Sequence, residues 1–209
     1  MATTTNYSWT TPDNTAYVKD GASAIRTLGS SVDTTLFSVT SGKNVGLVHL
    51  NSTNFSASSG VSLSSVFTSA FQSYRIIISN LSLTLGSQNI NFRLRTGATD
   101  SITNYYYAGF SAYTPGTSLA FSGAANDAQW PMATANVTHR GGAVMDLQNP
   151  QLSVATSLQN WSSYWDGSNI NNRSVNGNHI ATTSYDGFTI YPSSSTMTGT
   201  VSVYGYRSA

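Results

Sequence analysis

The sequence predicts an all-β protein: a jelly-roll-like antiparallel β-sandwich, preceded by an extended N-terminal segment and one short helix. Three observations carry that expectation. Only 8% of the 209 residues are charged, against about 25% in soluble proteins generally. All eight acidic residues are Asp, so the chain lacks Glu, a strong helix former and the usual partner of Lys on exposed helices. Short runs of alternating apolar and polar residues recur between clusters of Gly, Ser and Asn, the pattern of half-buried strands closed by turns. With 39% hydrophobic residues the chain can bury one sizeable core.

The elements follow in order. Around Pro12, Asp13 and Asn14 the chain carries turn chemistry, because Pro fixes φ and the two side chains can bond nearby backbone. Residues 1 to 14 therefore read as an extended segment. Between Tyr17 and Leu36 the period changes: Val18, Ile25 and Val32 stand seven apart and Leu28 three after Ile25, a short heptad seam. Asp20 is placed to cap the helix start. A helix of about four turns is marginal alone, so its seam suits association with copies of the same chain, docking on its own domain being the alternative. Residues 38–46 are polar and Gly-bearing and read as a linker. The expected division is thus an attachment and oligomerisation segment over 1–40 and a head over 41–209.

Within the head, strand candidates cover residues 45–50, 61–67, 74–78, 81–85, 90–95, 144–147, 188–191 and 201–206. Phe92 and Leu94 alternate with Arg93 and Arg95, as on a strand with one wet face. Residues 74–78 are apolar on both faces and should lie centrally. Trp130-Pro131 belongs on an edge or in a loop, because Pro cannot donate to a ladder.

Composition also narrows function. The net charge is +1 with nine Lys and Arg scattered singly, so there is no basic face for nucleic acid. Without Cys there is no thiolate nucleophile, disulfide or Cys-bound zinc. No run approaches the ~20 apolar residues of a membrane span, and the start has neither a basic nor an apolar signal region, so no export by that route is expected. A glycoside hydrolase needs two carboxylates about 5 Å or about 6.5–9.5 Å apart; the Asp residues are scattered, with Asp166 and Asp186 each preceding Gly in turn-like sequence. His49, His139 and His179 lack the spacing of a metal pair. No catalytic residue, metal ligand or cofactor is expected.

Aromatics are the stronger signal. Tyr105, Tyr107 and Tyr113 lie in one dense stretch with Phe110, and Trp161 and Trp165 in another. Both sit in Ser-, Gly- and Asn-rich surroundings that read as loops or edge strands. Aromatic faces stack on sugars while amides and hydroxyls read their hydroxyl groups, so these five residues are the candidate ligand contacts, core or subunit packing being the alternative. Tyr7 and Trp9 are candidate anchors for attachment, and Val18, Ile25, Leu28 and Val32 for oligomerisation.

Two stretches carry a resemblance. Asn6-Tyr-Ser-Trp-Thr-Thr-Pro-Asp-Asn14, leading into Val18-Lys-Asp-Gly-Ala-Ser-Ala-Ile-Arg-Thr-Leu-Gly29, is similar to segments that open tail-associated chains of tailed bacteriophages. Thr183-Ser-Tyr-Asp-Gly-Phe-Thr-Ile-Tyr191, with Met197-Thr-Gly-Thr-Val-Ser-Val-Tyr-Gly-Tyr-Arg207, resembles the close of their compact β-sandwich heads. The resemblance implies a virion protein on the tail or capsid surface, made in the host cytoplasm, with other virion proteins as partners through the N-terminal segment. With no long shaft between opening and head, it implies a short homotrimeric fibre whose head meets host-surface glycan. A capsid or tail decoration protein and a polysaccharide depolymerase stand as alternatives. Neither nucleic acid nor a membrane is an expected partner.

Overall fold

The structure, a computed structural model, describes residues 2–11, 17, 20–41, 46–114, 116, 119–137 and 139–207. Residues up to Gly46 form one compact unit and Leu47–Arg207 another.

In the first unit, β1 (Ala2–Thr3) pairs antiparallel with β2 (Thr10–Thr11), and the pair packs on α1 (Gly21–Ser41). The extended N-terminal segment thus folds back on itself as a hairpin. Ser8 adopts a left-handed φ of 53° and donates its amide to the Thr4 carbonyl, which closes the turn. The Trp9 indole then donates to Thr35 Oγ1 at 3.2 Å, fixing the hairpin to the helix. The helix also runs past Leu36. Thr27, Ser31, Thr34 and Thr35 return their hydroxyls to carbonyls four residues back, which satisfies side chains that otherwise compete with helix backbone.

The second unit is a β-sandwich. Its strands are β3 (Gly46–Ser58), β4 (Val61–Leu63), β5 (Ser73–Leu83), β6 (Gln88–Thr96), β7 (Thr99–Asp100), β8 (Tyr105–Tyr113), β9 (Ala120–Asp127), β10 (Trp130–Ala135), β11 (Gly141–Gln148), β12 (Thr156–Trp165), β13 (Ile170–His179), β14 (Gly187–Pro192) and β15 (Met197–Arg207). The smaller sheet runs β10-β6-β14-β4, with β7 on β6; the larger runs β3-β15-β5-β11-β12-β13-β8-β9. The chain passes repeatedly from one sheet to the other, as in jelly rolls. Residues 74–78 do lie centrally, in β5, and Trp130-Pro131 opens β10 at the edge of the smaller sheet.

Between the sheets lies one core. Tyr74, Ile76 and Ile78 of β5, Met145 and Leu147 of β11, and Val201 and Val203 of β15 face Phe92 and Leu94 of β6, Phe188 and Ile190 of β14, and Trp130 and Met132 of β10. Phe92 stacks on Phe188 at 5.0 Å, and Phe67 lies 4.7 Å from Tyr74. Each such side chain contributes about 1.5–3 kcal/mol on burial, and aromatic, β-branched, Leu and Met residues share the interior.

Besides the two-residue β7, five strands lie outside the strand candidates: β9 and β13, β8 and β12 in the stretches read as loops or edge strands, and β10 in the stretch placed on an edge or in a loop. Their inward positions include Thr156, Asn160, Ser162 and Ser174-flanking Val175, polar or single apolar residues that give little alternation of hydropathy. Neighbouring ladders hold them as strands.

Candidate functional site: the outer face of the larger sheet

The registers of the larger sheet fix which side chains share its outer face. Ile77, Val144, Trp161, Ser174, Phe110 and Phe121 are cross-strand partners in one row from β5 to β9. Trp161 is 61% exposed and Phe121 78%. The Phe110 and Trp161 rings meet edge to face at 6.1 Å. Ser174 stands between them in the row and is only 1% exposed; the two rings close over it.

The next row along the strands is small and polar. Gly142, Ser163, Asn172 and Ala112 are successive partners there. Because strand side chains alternate, Trp165 shares the outer face with Trp161, about 14 Å along β12 at 3.4 Å per residue. Two depressions have Gly142 and Ser163 in common. One of about 480 Å³ is walled by Val144, Trp161 and Asn172, and one of about 260 Å³ by Trp165, Ile170 and Arg140. The bulge at Gly141 keeps this floor low: a Cβ on Gly142 would meet the Ile78 carbonyl at 2.9 Å. Toward β8, a third depression of about 330 Å³ is walled by Tyr106, Asn176 and Asn178.

One ion pair lies on the same face. Arg75 donates to both Asp146 oxygens, at 2.8 and 2.6 Å, and the Tyr206 hydroxyl donates to Asp146 Oδ1 at 2.6 Å. Burial works to raise the Asp146 pKa, but these hydrogen bonds outweigh it and hold the carboxyl below its ordinary range.

The candidate contacts separate. Trp161 and Trp165 lie on this face, Trp165 with its ring against His139, and both stand on β12, an interior strand and not a loop or edge. Tyr105 is no surface contact. It is fully buried: its hydroxyl accepts from Leu94 N at 2.8 Å and donates to the Ser101 carbonyl, and burial pushes the phenol well up. Tyr107 points the same way, is half-buried against the core, and donates to Asp127 at 3.4 Å. Tyr113 is exposed at the end of β8, but alternation sets it on the opposite side of the sheet from Trp161. Three residues of the face escaped sequence reasoning as contacts: Phe110, Tyr106 and Phe121. A period-2 reading of Tyr105-Tyr-Tyr-Ala-Gly-Phe110 separates Tyr106 and Phe110 from Tyr105 and Tyr107.

On the helix, Ile25 is 66% exposed, Leu36 is exposed, and Leu28 and Val32 are half-buried. The hairpin meets α1 near Ser31 and Thr35, so at 100° per residue Ile25 and Leu36 face away from it. Val18, the first seam residue, lies outside the described residues. Tyr7 is exposed and stacks on Trp9 at 5.1 Å; Trp9 itself is committed to Thr35.

The acids of the sandwich are engaged. Asp166 accepts from the amides of Ser168 and Asn169, Asp186 from the Gly97 amide, Asp100 from the Thr189 hydroxyl, and Asp127 from the Ala128 amide. Among the described residues no group of three or more His or Asp side chains could hold a metal, and no helix is long and apolar enough to cross a membrane.

The fold and this face define a β-sandwich protein with an exposed aromatic and amide surface. No known protein family, no curated protein and no solved structure matches the chain.

Proposed function

We propose that this chain is a bacteriophage virion structural protein, a short trimeric tail fibre whose head contacts host-surface glycan without catalysis. The observation that carries the reading is Trp161, solvent-open on a strand face bordered by Ser163, Asn172, Asn176 and Asn178. An aromatic plane beside neutral donors and acceptors is the chemistry that stacks a sugar and reads its hydroxyls. Ile25, exposed on α1 beside the half-buried Leu28 and Val32, supports joining of copies through the helix, and the exposed Tyr7 ring supports attachment through the N-terminal hairpin.

A decoration protein is the rival that one observation favours. Edge strand β9 is exposed along most of its length and carries Phe121 outward, an edge open to docking on a neighbour in a capsid or tail. Immunogold labelling of the virus encoding the chain, together with glycan-array binding by the full chain, separates the readings. Label at the tail end and binding weakened in Trp161→Ala support the fibre. Label over the capsid without glycan binding moves the chain to decoration, and no label on any particle removes both.

A further inference from the structure

Resting on that glycan reading, we infer that the site is a trough along β12 for an extended, acidic saccharide, with a sugar on each of Trp161 and Trp165 and a carboxylate at Arg140. The length comes from the strand itself. Trp161 and Trp165 share one face about 14 Å apart, more than the spacing of two directly linked pyranose rings, so the ligand spans at least three linked sugars. Between them the floor is Gly142 and Ser163, common to both depressions, with Asn172 beside them. That floor is too low to block a chain lying across it, and its hydroxyl and amide can reach the ligand's hydroxyl groups.

The charge preference comes from what each charged group near the trough is doing. Arg75 is closed on Asp146 by two hydrogen bonds. The Asp166 carboxylate, next to Trp165, is closed on its own turn by Ser168, Asn169 and Asn171, which holds its pKa below the ordinary range. Arg140 lines the Trp165 end, is exposed, and spends one donor on the Asn80 carbonyl at 3.1 Å. Among the described residues it has no carboxylate partner. A guanidinium with spare donors at one end of a neutral trough selects a planar carboxylate there. The chemistry specified is a linear glycan carrying a uronic or similar sugar acid.

The test is a panel of linear acidic oligosaccharides, each paired with its carboxyl-reduced neutral form, titrated against the full chain at low and high salt. The acidic member should bind about two- to fivefold more tightly per site than its reduced form, and the gap should close at high salt. Arg140→Gln should remove the gap and leave the neutral affinity; Trp161→Ala and Trp165→Ala should each weaken both. Equal binding of both forms, unchanged in Arg140→Gln, overturns the acidic trough while the glycan reading stands. Binding unaffected by Trp165→Ala overturns its length. No binding by any member overturns the trough and the glycan reading together.

Discussion

Tyr105 and His179 show how single side chains join the two sheets. The Tyr105 hydroxyl, rooted in β8, reaches the backbone of β6 at Leu94, so Tyr105→Phe leaves a buried amide without its acceptor. Loss of about 1–3 kcal/mol is expected by chemical denaturation, whereas Trp161→Ala on the open face should stay within about 0.5 kcal/mol of wild type. His179 is fully buried against the rings of Tyr105 and Tyr185, at 4.5 and 5.2 Å, with Ser101 Oγ 2.9 Å from Nε2. Desolvation lowers its pKa, a hydrogen bond with Thr103 backbone opposing in part. The unfolded chain takes up this proton near pH 6.5, the folded chain only at lower pH. Stability from the neutral ring is thus whole above about pH 6.5 and drains as pH falls through that value, levelling once the folded pKa is reached. Denaturation curves between pH 7.5 and 5 should show that slope, and His179→Gln should flatten it; an unchanged slope would place its origin elsewhere.

At the scale of elements, the helix makes the sharpest prediction. Ile25 faces away from the hairpin that covers the Thr35 side of α1, so if the seam joins copies, Ile25→Asp should reduce a trimer to monomers in analytical ultracentrifugation while the head keeps its melting behaviour. Retention of the trimer would remove α1 as the clasp. The helix was legible in its heptad spacing, and β5, β6, β14 and β15 in their alternating apolar residues. β12 and β13 were not, because their inward positions hold Thr156, Asn160, Ser162 and His179, polar groups that long-range packing accommodates: the Asn160 amide, for example, donates to the Met132 carbonyl across the sandwich. Aromatic composition in the sequence points to Trp161 and Trp165, and the registers of β12 set both on the outer face of the larger sheet. Tyr105 falls to the alternative, core packing, because density of aromatics does not say which way a strand faces. Gly177 illustrates information no local pattern carries: a Cβ there would stand 2.7 Å from the Trp130 indole nitrogen, which needs that gap to reach the Tyr106 carbonyl.

For the whole molecule, function on this reading depends on number as much as on contact. A shallow trough holds one glycan weakly, and linking three heads multiplies apparent affinity through effective concentration. Ile25→Asp should therefore weaken binding to a glycan-coated surface far more than binding to a soluble oligosaccharide, measured side by side by surface resonance and calorimetry. Equal loss in both formats would mean the helix change disturbs the site itself.

The position of β15 has a consequence in time. The last described strand lies inside the larger sheet, between β3 and β5, so two strands made early must wait for one made late. Its pairings to β5 span more than a hundred residues of chain, and folds dominated by such distant pairings close slowly. During synthesis the facing edges of β3 and β5 are left without their neighbour, presenting unpaired backbone and the apolar side of β5 to other nascent chains. A Glu-free, weakly charged chain has few repulsive groups to keep those edges apart. Its yield in the cell is then set by a race between ribosomal completion and misassembly, and slower growth temperature or a holding chaperone should raise the share of soluble heads.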